Sequence, residues 1–392
     1  MSGSGPPEGA NPFEGLPLFG DLARMFSSQG PVNWQVARQI ALFLATEGHS
    51  EPNPDPVERI AAEQLLRVAE LHVGEATGLS TSLTGRPLSL QPVTRGDWAM
   101  RSLDAYRPLL ERLAASLAAT PTAEQDSPPD PAGQLLGELG KMLGPVLLGM
   151  QAGSMLGHLA RRALGQYDLP LPRQSSDELL LVPANVDGFA QEWSLPSDEL
   201  RMWVCLHEVS YHAVLGRPHV RARLERLISE YAGGFRVDPQ ALESRLGELD
   251  PNDPAALQAL LGNPEVLLGA MRTPEQDEVR TRLETLMTAV VGYVDHTMDT
   301  VGRRLITSYT MLTEALRRRR VEASDSDLFV ERLLGLELSR AQYERGGAFV
   351  KGVVERAGDE GLRRLWMSER ELPTAAELDA PGLWLARIDL PD

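Results

Sequence analysis

The sequence predicts a mainly α protein with a small β element, and three observations carry that expectation. Of 392 residues, 42% are hydrophobic but only 5% aromatic, and the apolar stock of Leu, Ala, Val and Met suits helices better than strands. Long segments repeat apolar residues at helical spacing between Pro- and Gly-rich breaks. A single short run, Leu179 to Val182, reads as a strand, so any sheet is small.

The elements follow in order. Residues 1–25 are rich in Gly, Pro and Ser and read as a tail. In "NWQVARQIALFLATEG", Asn33 is placed to cap a helix whose Trp34, Ala37, Ile40, Ala41 and Leu44 share a face. "SEPNPDP" breaks it, a second helix runs from Val57 to Glu75, and a third opens at the cap Thr94. These make an N-terminal helical region over 26–119, closed by the Pro-rich, acidic linker or loop 120–132. A main domain is expected over 133–392. It opens with a helix carrying Gly149, Gly153 and Gly157 on one stripe, where another helix can approach closely. Ser197 reads as the cap of a helix over 198–215, with Asp198 and Glu199 in its first turn and Gly216 and Pro218 at its stop. Further helices are expected at 239–249, 254–270, 274–303, 305–320, 326–358 with a break near Gly335, and 374–379.

Composition narrows the function. Acidic residues outnumber basic ones 55 to 38, for a net charge of −17, so the surface repels phosphate backbones and anionic headgroups. No nucleic-acid partner and no membrane span are expected; the partner class is a peptide, a protein or a small molecule. The run "RRRR", Arg317 to Arg320, reads as a solvated helix end offsetting exposed carbonyls, with a docking site for an acidic partner as the other reading. Cys205 is the one cysteine, which rules out an internal disulfide or a thiolate zinc cluster. The N-terminus has no signal-peptide pattern, and cytoplasmic residence is the expectation.

"WVCLHEVSYHAVL", residues 203–215, nearly spells a zinc helix. The H-E-x-x-H pattern sets two histidines four apart beside a general-base glutamate. His207 and Glu208 fit, but position 211 is Tyr, and His212 comes one residue late. Four residues advance about 400° around a helix and return to the same face, whereas five advance about 500° and turn His212 about 140° from His207. Only a local π-bulge would bring the two together. The residues alone equally allow His207 as a core histidine on the stripe Leu200, Trp203, Val204, His207, Tyr211 and Val214, with Glu208 and His212 as an intrahelical pair.

Segment order adds a resemblance. "LGQYDLPLP", "LLLVPANVDGFAQEWSLPSDELRMWVCLHEVSYHAVL", "LETLMTAVVGYVDHTMD" and "LLGLELSRAQYERGGAFVKGVVERAG" resemble the actinobacterial zincin-like metallopeptidase type 2 family, some of whose members are labelled as associated with deazaflavin coenzyme biosynthesis. The resemblance implies a zincin-like helical core over 133–392 and a zinc site built from H-E-x-x-H and a glutamate in an E-G-x-x-D context on a later helix. Carried over, the first ligand is His207 and the water-activating base Glu208, but the second ligand falls on Tyr211 and the third on Val291, followed by Gly292 and Asp295. A catalytic zinc normally needs three protein ligands and a water, and an isopropyl group donates nothing.

The expected function is therefore a zincin-like scaffold without metal or peptidase chemistry, kept as a binding or regulatory module. Its cleft would be lined by His207, Glu208, Tyr211 and Val291, and no cofactor is expected. The alternative is an active zinc-dependent metallohydrolase with His207, His212 and Asp295 as rearranged ligands and Glu208 as general base. An assembly subunit using the glycine stripe is the remaining reading.

Overall fold

The computed structural model describes residues 30–118, 131–171, 173, 176–234, 274–321 and 334–390. The expected tail 1–25, most of the linker and the helices at 239–249 and 254–270 lie outside them. The linker's last two positions are already helical.

Twelve α-helices and one small sheet make up the described chain. In order they are α1 (Trp34–Thr46), α2 (Pro56–Thr77), β1 (Ser89–Pro92), α3 (Arg95–Ala118), α4 (Pro131–Ala160), β2 (Glu178–Leu181) and α5 (Pro183–Glu192). Then follow α6 (Ser197–Leu215), α7 (Pro218–Gly233), α8 (Pro274–Leu305), α9 (Tyr309–Val321), α10 (Arg340–Arg363), α11 (Ala375–Asp379) and α12 (Pro381–Ile388). The mainly α expectation holds. The partner strand β1 and the helices α5, α7 and α12 were not foreseen; α5, α7 and α12 each start on a proline, which suits a first helical turn because its missing N–H would have had no partner there.

Caps explain the clean ends. Asn33 accepts from the Val36 N–H at 3.1 Å, and Thr94 accepts from the Asp97 N–H at 3.0 Å. Ser197 is a correction: it is the first residue of α6 rather than its cap, and its hydroxyl donates to Asp187 Oδ1 at 2.6 Å. The N-terminus of α6 is instead steadied by the turn between α8 and α9, because Glu199 accepts the N–H of Ser308 at 2.8 Å.

The glycine stripe is spent inside the molecule, which removes its use as an outer assembly surface. A Cβ on Gly149 would lie 2.4 Å from the carbonyl oxygen of Asn33, one on Gly153 2.4 Å from that of Ala37, and one on Gly157 2.9 Å from that of Ala41. Helix α4 therefore lies backbone to backbone on α1. Gly153→Ala is expected to cost about 1–3 kcal/mol, the usual penalty of overpacking a tight contact, read as a lowered urea midpoint with unchanged helicity. No helix of the described residues is long and apolar enough to cross a membrane.

A second close crossing sets the opposite wall. A Cβ on Gly292 of α8 would lie 2.3 Å from the Gly346 carbonyl carbon of α10, and one on Gly346 2.3 Å from the Thr288 oxygen. Buried apolar residues from Ala37 to Ile388 form one continuous core, with α2, α7 and α8 all packed on α6. The strands pair in parallel, Ser89 opposite Glu178 and Pro92 opposite Leu181. Beyond them Leu181 bridges Gly165, and the Val182 N–H donates to the Leu164 carbonyl at 2.9 Å. The sheet thereby holds the 164–168 loop against α6.

Candidate functional site

Helix α6 is regular α from Ser197 to Leu215, with no widened turn. The 100° step per residue therefore decides which way each side chain of the motif faces.

His207 is one of the three protein ligands that a catalytic zinc would need. Its ring stacks on Trp203 with centroids 5.0 Å apart and leans on Tyr211 at 4.7 Å. Its Nδ1 lies 3.2 Å from Glu208 Oε1; a carboxylate only accepts, so Nδ1 carries the proton and Nε2 is the nitrogen left without that bond.

Glu208 is fully buried, and its carboxylate holds the loop before β2. Oε2 accepts the N–H of Gln166 at 2.8 Å and of Tyr167 at 2.9 Å, and Oε1 the Tyr167 N–H at 3.2 Å. Gly165 is the residue that lets the chain come so close: a Cβ there would sit 2.5 Å from the Glu208 carboxyl. The same loop is held from behind by Trp98, whose indole N–H donates to the Gly165 carbonyl at 2.8 Å. Asp168 closes the turn by accepting the N–H groups of Leu164 at 2.6 Å and Gly165 at 2.8 Å. Burial raises the Glu208 carboxyl above its ordinary pKa, partly offset by His207 and the Tyr167 amide.

Tyr211 and Val291 occupy the two remaining ligand positions. Tyr211 is buried and stacked on Tyr167, centroids 5.9 Å apart. Burial, with Tyr343 nearby, pushes its phenol well above the ordinary value, so a phenolate is disfavoured. Val291 is buried on α8. One turn on, Asp295 is open to solvent at its surface yet hemmed by enough protein to raise its carboxyl, with Arg320 and His207 pulling the other way.

His212 belongs to another environment. Its Nδ1 meets the Tyr167 hydroxyl at 2.9 Å, and its Nε2 faces Asp177 Oδ1 at 3.9 Å. Burial lowers its pKa to about 4 against the pull of Asp177, so it is neutral near pH 7. A neutral ring with its proton on Nε2, towards the carboxylate, accepts the tyrosine O–H at Nδ1. Asp177 in turn accepts the N–H groups of Leu83 at 2.6 Å and Thr84 at 3.1 Å. His212 thus ties the sheet and the 82–84 loop to α6.

His207, Glu208, Tyr211 and Val291 all border one cleft of about 200 Å³. The expected alternative set of His207, His212 and Asp295 is not assembled: among the described residues, no group of three or more His, Cys, Asp or Glu is placed to hold a metal ion. The described donors of the cleft do not make up the three-ligand site that zinc chemistry requires.

Other cleft residues were not foreseen as such: Trp203, Tyr167, Asp168, Tyr343, Arg319 and Arg320. The arginine run divides. Arg317 and Arg318 pair with Glu314 outside, Arg318 Nε at 2.9 Å, as a solvated helix end would. Arg319 and Arg320 turn to the cleft, and Arg319 lies over Phe189 and bonds the Arg162 carbonyl. Residues two apart in a helix lie about 200° apart, which turns the half-buried Arg319 from the exposed Arg317, whereas Arg320 is itself largely exposed and still borders the cleft.

The comparisons agree with this architecture. Residues 32–385 match the zincin-like metallopeptidase family, and the chain belongs to that family. Among solved structures it is similar to a "putative hydrolase with a novel fold" from Chloroflexus aurantiacus, with 25% identity and a TM-score of 0.63 over 92% of this chain and all of that one. Among curated proteins, no relative matches the sequence.

Proposed function

We propose that this chain is a catalytically inactive member of its family, which keeps the cleft beside α6 as a binding or regulatory site for a peptide, a protein or a small molecule. The observation that carries the reading is the occupation of Glu208. A general base must reach the proton it removes, and this carboxylate is fully buried and bonded to the amides of Gln166 and Tyr167.

Coordination chemistry supports the same reading. Tyr211 and Val291 stand at two of the three ligand positions that the family resemblance implies, leaving His207 as the one donor of that set. The rearranged site draws no support, because the regular helix sets His212 between Tyr167 and Asp177 and, among the described residues, no three donors gather to hold a metal ion.

Calorimetric titration of the full chain with zinc tests the proposal. The expected result is no stoichiometric binding and the same trace from His207→Ala. One tightly held equivalent that disappears in His207→Ala overturns it.

A further inference from the structure

Among the described residues, one cleft cation, the largely exposed Arg320, has Asp295 and Asp168 within electrostatic reach but no carboxylate within 4 Å. The guanidinium of Arg320 lies over the Tyr343 ring at 5.2 Å and borders the cleft. Among the described residues it makes no hydrogen bond and no ion pair within 4 Å, in a chain whose acidic residues outnumber its basic ones by 17.

Carboxylates nearby have other employment. Glu208 serves the amides of Gln166 and Tyr167. Asp168 serves those of Leu164 and Gly165 and faces Arg319 at 3.7 Å. Asp295 is within electrostatic reach of Arg320 but not paired with it. The same cleft is lined by the rings of Trp203, Tyr211 and Tyr343 and by the side chains of Leu336 and Leu338. The space, about 200 Å³, admits a small acid or the end of a longer chain but not a large ligand whole.

We propose that the cleft recognises a carboxylate carried on an apolar or aromatic group, with Arg320 as its anchor and the aromatic wall holding the apolar part. A guanidinium presents a planar fork that matches a carboxylate with two parallel hydrogen bonds, and its seat on Tyr343 fixes the plane of that fork without using its N–H groups. The inference rests on the cleft being a binding site. It names the ligand's chemistry, which a free carboxylic acid and the C-terminus of a peptide share.

Binding of matched pairs to the full chain tests it: 3-phenylpropionate against 3-phenylpropionamide, and acetyl-Leu-Phe as free acid against its C-terminal amide. At least one acid is expected to bind about tenfold or more tightly than its amide, the usual scale of a charge-assisted pair. Preference for the small acid identifies a metabolite-type ligand; preference confined to the peptide identifies a chain end. Arg320→Gln is expected to reduce acid binding to the amide level, Arg320→Lys to restore part of it, and Asp295→Asn to tighten it. Arg317→Gln, on the outer face, is expected to change nothing. Equal binding of acid and amide in both pairs, no binding by any of the four, or acid preference that survives Arg320→Gln overturns the inference. None of these results depends on zinc, so the inference and the reading of an inactive site fail separately.

Discussion

Glu208→Ala is expected to destabilise the fold by about 3–5 kcal/mol, the scale seen when one partner is removed from a buried charged network. The amides of Gln166 and Tyr167 would lose their acceptor in a fully buried site, and each unpaired buried group costs on the order of 1–3 kcal/mol. Collapse of the site is opposed on two sides, because Trp98 holds the Gly165 carbonyl and Asp168 holds the Leu164 amide. Glu208→Gln is expected to lose less, since it keeps one acceptor oxygen while turning an NH₂ towards N–H donors. Urea unfolding followed by circular dichroism gives both numbers, and amide exchange at Gln166 and Tyr167 locates the damage. A general base free in an open cleft would behave otherwise, losing turnover with stability within about 0.5 kcal/mol of the parent.

His212 supplies the second large effect, and its sign is fixed by which state holds the proton. Its pKa falls from the ordinary 6.5 to about 4 on folding, so between those values the unfolded chain binds a proton that the folded chain refuses. Stability from this group is complete above pH 6.5 and is lost as pH falls through 4. The ring is 1% exposed, so the full shift counts, on the order of 3 kcal/mol. Glu208, whose pKa is raised in the fold, tilts the profile the opposite way. The contribution of His212 is therefore read as the difference between the parent and His212→Asn, which keeps an acceptor for the Tyr167 hydroxyl. Unfolding free energies at pH 7, 6, 5 and 4 are expected to converge as pH falls. A difference independent of pH would mean that the His212 pKa does not change on folding, and one that widens as pH falls would mean that the ring gains a proton in the fold.

The sequence made the scaffold legible where periodicity and caps act locally. Asn33, Thr94 and the helical repeat of α6 needed no tertiary knowledge, and the 40° offset between positions 207 and 211 put His207 and Tyr211 side by side, as their ring contact bears out. The glycines at 149, 153 and 157 announced a close helix contact, but only the fold could say that α1 fills it. The role of Glu208 was illegible because its partners lie some 40 residues away in a loop with no periodicity of its own. The strand at 89–92 was hidden for a similar reason: "SLQP" is only four residues long, has no β-branched residue and ends on a proline, and it is a strand because Glu178–Leu181 lies beside it. Arg319 and Arg320 were visible as part of a charge run, yet which of four neighbouring arginines borders the cleft depends on how α9 docks.

The central claim is that the cleft beside α6 offers too few donors to hold a divalent cation. Anomalous diffraction from crystals of the full chain soaked in zinc, recorded on either side of the zinc absorption edge, tests it most directly. The account predicts no anomalous peak within bonding distance of His207 Nε2. A peak there with three or more protein donors around it would contradict the account.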